Sequence, residues 1–265
     1  MTTQPTFFIP HGGGPCFFMD WNPPDAWDNM RTFLEGLIPS LPECPKAILV
    51  ITAHWEADKP TVSAQVAPDL LFDYNGFPPH TYELTWPAPG NPQLAQRIRD
   101  LLNDAGIDSA ADSSRGFDHG VFVPMKVALP NADIPTVAMS LRGDLDPAFH
   151  IELGRALAPL RDEGVLILGS GFSYHNLGSM MGGKDGPKGD ETFDTWLTET
   201  LTGDPATRTA NLKNWENAPD ARLAHPREEH LAPVFVAAGA ALSDKGVKVY
   251  DDHVMGIRAS GFQFG

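Results

Sequence analysis

The sequence predicts an α/β fold, a single domain with a central, mostly parallel or mixed sheet flanked by helices. Three observations carry this. Short apolar runs alternate with segments of helical period along the whole chain. Two of those runs, residues 47–53 (AILVITA) and 165–168 (VLIL), are almost wholly apolar, as strands covered on both faces of a parallel sheet are. The 265 residues contain no internal repeat and no clean linker, and that length suits one large domain, so residues 1–265 are taken as one catalytic-sized unit.

The elements follow in order. Residues 6–10 form a first strand, stopped at His11-Gly12-Gly13-Gly14-Pro15. Trp27, Met30, Leu34 and Leu37 recur at helical spacing and predict a helix starting near Pro24. The strand 47–53 runs directly into His54-Trp55-Glu56. The section around Phe72-Asp73-Tyr74 and Phe77-Pro78-Pro79-His80 has too many breakers for a regular element. Asn91 caps a helix over 92–105, with Pro92 at its first position. Arg115-Gly116-Phe117-Asp118-His119-Gly120 reads as a loop before a short helix. A strand over 134–141 and a helix over 147–160 come next. The strand 165–168 ends at Gly169-Ser170-Gly171, and 178–189 reads as a Gly-rich loop. Helices are expected over 191–201, around 212–215 and over 227–242, with strands near 247–250 and 257–264.

Composition narrows the function. Lys and Arg total 19 against 34 Asp and Glu, a net charge of -15, and no basic stripe offsets it, so a nucleic-acid partner is not expected. Gly and Pro, 25 each and 50 together, exceed the roughly 32 that average usage would supply for the two, without a collagen period, and point to many shaped loops. Cys16 and Cys44 do not make a disulfide framework and read as two buried free thiols. No early apolar stretch follows a basic region and no run of 18 apolar residues occurs, so neither a secretion signal nor a membrane span is expected, and the protein is placed in the cytoplasm.

The nine histidines then need explaining. Ligands in open α/β sheets gather beyond the carboxyl ends of strands. His11 and His54 follow the two clearest N-terminal strands, and His175 follows the strand ending near Leu168. His119 sits just before a helix and His230 near the start of another. A lone histidine after a strand is ordinarily a surface or hydrogen-bonded loop residue. Five that converge on one rim could hold a divalent metal and move protons. His150 reads as structural, His80 as lining a pocket mouth, and His225 as near the site only through its closeness to His230. The compact zinc patterns HExxH and CxxC are absent, as are the dinucleotide and phosphate-loop fingerprints. Gly169-Ser170-Gly171-Phe172-Ser173 lacks the second glycine of a nucleophile elbow, so a Ser-His-Asp hydrolase matches poorly. The run 72–86 serves equally as a peptide-binding surface or as core packing.

At these same residues the chain resembles a known family, the class III extradiol ring-cleavage dioxygenases of the protocatechuate 4,5-dioxygenase catalytic-subunit superfamily. Within it the chain is similar to the bacterial and plant 4,5-DOPA extradiol dioxygenase branch. The matching pieces are Pro10-His11-Gly12-Gly13-Gly14-Pro15, Thr52-Ala53-His54-Trp55-Glu56, Phe72-Asp73-Tyr74-Asn75-Gly76-Phe77 and Gly116-Phe117-Asp118-His119-Gly120. Gly169-Ser170-Gly171, Tyr174-His175-Asn176-Leu177 and Glu229-His230-Leu231-Ala232-Pro233 complete the set, in order along nearly the whole chain.

The resemblance implies one divalent metal held by His11, His54 and His230, with Glu229 as the alternative third ligand. It implies His175 as acid/base and His119 as a second catalytic histidine contacting substrate or oxygen; no separate cofactor site is implied. The implied substrates are a catechol and O2, with loss of the catechol protons to His175. Relatives are monomers or small homo-oligomers. Three neutral imidazoles in place of two and a carboxylate also suit Zn(II), whereas ring cleavage calls for Fe(II), because zinc supplies no redox chemistry. The remaining readings are a zinc-binding homologue without ring cleavage, a zinc hydrolase on the same histidines, and a non-enzymatic binding protein. Arg142 is the one residue offered for a remote substrate carboxylate, with surface placement equally open.

Overall fold

The computed structural model describes residues 2–182 and 188–265. Eight strands form one mixed sheet: β1 (Thr6–Pro10), β2 (Ala47–Ala57), β3 (Thr61–Ser63), β4 (Ala110–Asp112), β5 (Thr136–Arg142), β6 (Val165–Gly171), β7 (Gly246–Val254) and β8 (Ile257–Phe264). Their order is β4-β3-β5-β2-β6-β1-β8-β7. The four central strands β5, β2, β6 and β1 are mutually parallel. The C-terminal hairpin β7–β8 adds antiparallel to β1, and β3 adds antiparallel to β5. The buried, side-by-side apolar strands β2 and β6 are the two that the sequence marks as covered on both faces.

Ten α-helices surround the sheet among the described residues: α1 (Asp28–Leu37), α2 (Pro92–Asp104), α3 (His119–Ala128), α4 (Pro147–Leu157), α5 (Pro159–Asp162), α6 (Leu177–Gly182), α7 (Asp190–Thr202), α8 (Pro205–Lys213), α9 (Ala221–Ala224) and α10 (Ala232–Ala240). Helix α2 starts as expected: the Asn91 side chain accepts from the Leu94 amide at 2.9 Å, and Pro92 fills the position whose N–H has no helical partner.

Several boundaries differ from expectation for identifiable reasons. Helix α1 begins at Asp28 rather than near Pro24, the preceding residues being turns. The helix expected over 147–160 is two, because Pro159 has no N–H to continue α4 and opens α5 instead. The Gly169-Ser170-Gly171 stretch lies inside β6 rather than ending it, and β2 runs on through His54 to Ala57. Strands β3 and β4, three residues each, carry too little pattern to be legible. The expected loop over 178–189 is partly helix α6, and residues 183–187 lie outside the described residues. The helix expected from Arg227 starts only at Ala232. Both cysteines are free, but only Cys16 is buried; Cys44 is exposed, which corrects the expectation of two buried thiols.

Helix α10 is buried along its entire length. Small residues make that possible. A Cβ on Gly154 of α4 would lie 2.1 Å from the Val236 carbonyl oxygen, and one on Gly239 of α10 would lie 2.2 Å from that of Ile151. The two helices therefore meet backbone to backbone at this pair. Gly154→Ala is expected to lower stability in urea unfolding by about 1–3 kcal/mol through overpacking. Gly36→Ala, in exposed α1 where a Cβ meets nothing within 4 Å, is expected to raise it by about 0.4–1 kcal/mol.

Candidate metal-binding active site

The site is built at the carboxyl ends of the central strands, where the β1, β2 and β6 backbones finish together. His11 follows β1 directly, and its amide donates to the Gly171 carbonyl at 3.2 Å. His54 lies within β2, in the stretch between Ile51 and Glu56 where the register against β5 shifts. That irregularity frees residues 53–55 from regular pairing and re-aims their side chains.

Strand β6 divides its two faces between two other segments. Side chains alternate along a strand. Gly169 and Gly171 face the Pro233 and His230 carbonyls, where a Cβ would lie 2.4 and 2.2 Å from the respective oxygens. Between them, the Ser170 hydroxyl points the other way and donates to the Gly120 carbonyl of α3 at 2.5 Å. This buried, committed hydroxyl is no nucleophile. The Phe172 amide donates to the His230 carbonyl at 3.0 Å, which pins the turn ahead of α10 against the end of β6. His230 thus sits in a turn rather than on a helix. His119 is the first residue of α3 rather than a loop residue, and Gly120 packs so closely on β2 that a Cβ would lie 2.9 Å from His54 Cδ2. His175 lies in the loop from β6 to α6, its amide donating to the Ala224 carbonyl at 2.9 Å.

All five rings meet. His54 Nε2 lies 3.2 Å from His11 Nε2 and 3.3 Å from His230 Nε2. Nitrogens bound about 2.05 Å from a tetrahedral ion stand about 3.3 Å apart, so this spacing fits a small divalent cation. His11, His54 and His230 form one group able to hold such an ion. Two flanking groups share members with it, His54–Asp73–His119 and His175–Glu229–His230. The His119 ring lies 3.8 Å from that of His54, and the His175 ring stacks on that of His230 at 3.4 Å. His11 Nδ1 is buried with no hydrogen-bond partner.

The electrostatics suit a cation. Burial, followed by the neighbouring histidines, holds His11 and His230 well below the ordinary imidazole range. Burial and then His119 push His54 down to about 3, against the pull of Asp73. Burial raises Asp73 and Glu229, but hydrogen bonds from His119 and His175 respectively outweigh it, and both carboxyls stay below their usual range. Neutral imidazoles ringed by ionised carboxylates present lone pairs in a favourable field.

The rim opens into a cavity of about 430 Å³ lined by Ala53, His54, Glu56, Arg227, Glu229 and His230. Arg227 makes a two-pronged pair with Glu56, both contacts 2.5 Å. A larger cavity of about 800 Å³ lies by Lys46 and Pro135, at the opposite, amino ends of β2 and β5. The other histidines stay outside the ring cluster. His150 is structural, taking the Arg142 amide on Nε2 at 3.1 Å and donating from Nδ1 to the Asp146 carbonyl at 2.8 Å. His225 donates to the Ser173 carbonyl at 3.0 Å, and exposed His80 to that of Phe18 at 3.0 Å. Arg142 is bound to Asp144 and lies over the Phe149 ring, with no contact to the histidine cluster.

Asp73 carries no role in the sequence expectation, yet it accepts from both the His119 amide and its Nδ1, at 2.9 and 2.8 Å. Arg115 and Asp118 are likewise supports: Arg115 Nη2 donates to the His54 carbonyl and to Asp118, each at 3.1 Å. Membership of the Phe72–Phe77 and Gly116–Gly120 motifs marks Asp73 and Asp118 in the sequence, and Arg115 stands just before the second.

A mixed sheet with a rim of imidazoles and carboxylates defines a metal-binding site of the extradiol-dioxygenase kind. A family model described as the catalytic LigB subunit of aromatic ring-opening dioxygenase matches residues 5–261. A protein named 4,5-DOPA dioxygenase extradiol from Beta vulgaris is 42% identical over 239 residues, covering 89% of this chain and 86% of the relative. Dioxygenase tasH of Hapsidospora irregularis is 37% identical over 281 residues, covering 97% of this chain and 84% of that one. The crystal structure of an uncharacterized protein from Escherichia coli K12 superposes with a TM-score of 0.79 at 29% identity, covering 99% of this chain and all of the other. The chain belongs to the LigB family of aromatic ring-opening dioxygenases and is related to its 4,5-DOPA dioxygenase branch. No helix among the described residues is long and apolar enough to cross a membrane.

The buried neutral histidines set the sign of a pH dependence. Below their ordinary value of 6.5, the unfolded chain takes up protons on His11, His54, His225 and His230 that the folded, metal-free chain refuses. Their contribution is therefore complete above pH 6.5 and declines as pH falls, by up to about 1.4 kcal/mol per unit for each group. Urea midpoints of the chelator-treated protein are expected to fall from pH 6.5 to 5, a window above the carboxylate range; a flat profile there would contradict the assignment.

Proposed function

We propose that this protein is a non-haem, metal-dependent extradiol dioxygenase that opens the ring of a catechol, of the 4,5-DOPA kind, with O2. The reading takes residues 1–265 as one catalytic domain working in the cytoplasm, in keeping with two free cysteines. The observation that carries it is the set of three Nε2 atoms, His11, His54 and His230, spaced for one cation beside two further histidines. The names of the relatives supply the substrate class.

In this reading His11, His54 and His230 hold the metal. Iron(II) held there would supply the redox chemistry that ring cleavage with O2 needs. The remaining steps fall to side chains. His175, with Nδ1 against Glu229 at 3.1 Å, keeps Nε2 free to take a proton from the catechol and return it later in the reaction. His119, with Nδ1 against Asp73, offers a second Nε2 beside His54 for substrate or oxygen. Tyr74 packs edge-on against His119, with Phe77 and Tyr82 against Tyr74, so the second histidine is backed by aromatic rings. Zinc fits the same three imidazoles but supports no ring cleavage.

Iron-loaded protein given L-DOPA and a panel of related catechols is expected to consume O2 and form a yellow ring-opened product. His175→Ala should keep its metal while turnover falls at least about 100-fold. His11→Ala and His54→Ala should lose most of the metal, read by elemental analysis. No oxygen uptake across the panel, with zinc-dependent ester or amide hydrolysis instead, would sink the proposal in favour of a hydrolase.

A further inference from the structure

Two acidic side chains flank the cluster, Glu229 hydrogen-bonded to two of its rings and Asp73 to one. Glu229 Oε1 lies 2.9 Å from His230 Nδ1 and 3.1 Å from His175 Nδ1, so a single oxygen receives both rings. Those rings are stacked, 3.4 Å apart and 20° from parallel, which is the geometry that two donors converging on one acceptor require. The other oxygen, Oε2, is buried without a hydrogen-bond partner and has Arg227 Nη1 3.6 Å away. On the opposite flank, Asp73 Oδ1 lies 2.8 Å from His119 Nδ1, and Asp73 Oδ2 lies 3.6 Å from His54 Nδ1. The His54 and His119 rings are 3.8 Å apart. Each carboxylate thus reaches one histidine of the three-nitrogen group and one histidine outside it.

An ionised carboxylate only accepts hydrogen bonds, so an imidazole facing it through Nδ1 carries its proton there. The lone pair is then on Nε2, the atom that His54 and His230 turn toward His11 and toward each other. The same geometry explains why Glu229 is not the third ligand in this arrangement: its engaged oxygen lies on the Nδ1 side of His230, while Nε2 faces the cluster.

We propose that Glu229 and Asp73 are positioning residues: Glu229 fixes metal-side His230 and substrate-side His175 in the Nδ1–H tautomer, and Asp73 fixes substrate-side His119 in that tautomer while facing metal-side His54 across a longer, charge–dipole contact. The inference rests on the metal-ligand reading given above for His54 and His230. It adds that ligand orientation and proton transfer are tied in pairs, His230 with His175 through Glu229 and His54 with His119 through Asp73. Losing Glu229 should therefore disturb metal binding and tautomer together, at two residues rather than one. His11, with no partner on Nδ1, belongs to neither pair.

The test uses the whole chelator-treated chain, reads its imidazoles metal-free by long-range proton–nitrogen NMR, and then measures its affinity for Zn(II) alone. In the unsubstituted protein His119, His175 and His230 are expected to carry the proton on Nδ1. Glu229→Ala should bind Zn(II) about 10–100-fold more weakly, the usual cost of removing a ligand's outer partner, and move His175 and His230 away from that tautomer. Glu229→Gln keeps an accepting carbonyl oxygen and should retain the tautomers with a smaller loss. Asp73→Ala and Asp73→Asn should repeat the tautomer pattern at His119, with a smaller loss of Zn(II) affinity through His54. A folded Glu229→Ala protein with unchanged Zn(II) affinity and unchanged tautomers overturns the proposal. If the alanine variants do not fold, the unsubstituted protein decides: protons on Nε2 of these rings overturn it. Neither readout involves ring cleavage, so a failed catechol assay leaves this result standing, and the reverse holds too.

Discussion

The site depends on one close approach. Strand β6 ends with glycines at 169 and 171, and on that face there is no side chain to hold the next segment away. The turn ahead of α10 settles against the bare backbone, and the Phe172 amide donates to the His230 carbonyl. On the same strand end, the Gly171 carbonyl takes the His11 amide. Two histidines separated by 219 positions in the chain are therefore set by hydrogen bonds on adjacent residues of one strand. Any Cβ at position 171 would collide with the His230 carbonyl, so the third imidazole could not reach the other two. Helix α10 can follow that turn into the core because glycines at 154 and 239 let it lie against α4.

Burial then determines the charge state. Five imidazoles packed together cannot all be cations, and the environment keeps His11, His54 and His230 neutral. That leaves lone pairs facing inward, with proton-bearing nitrogens facing Asp73 and Glu229. The overall charge of -15 has little to do with this. The local balance of neutral rings and two half-buried carboxylates sets the preference for a cation, whereas the global charge only disfavours polyanionic partners.

The central strands were legible because a nearly continuous apolar run, too short for a helix and set between helical segments, suits a strand buried on both faces. Strands β1, β2, β5 and β6 fall where those runs lie. The histidines were legible because strand ends are where α/β sheets place ligands, and because the surrounding short motifs resemble those of a known family. The supports were not legible. Asp73 sits in a Pro- and aromatic-rich stretch with no period, and nothing local says that it will meet His119, 46 residues away. Glu229, beside His230, reads as a competing ligand until the rings are oriented. Three-residue strands such as β3 and β4 are stabilised by the neighbours they pair with, not by their own pattern.

The sequence by itself determined the fold class, the family and the five histidines. These are properties of composition, periodicity and motif, each readable within a few consecutive residues. The tertiary structure alone decided which nitrogen of each ring faces the others and which carboxylates hold them. It also decided that Arg142 and His150 serve each other rather than the site. Those are distances between residues remote in the chain, and they are set by how closely the backbones can approach. At this site that approach is governed by glycines whose missing side chains carry no signal until their neighbours are in place.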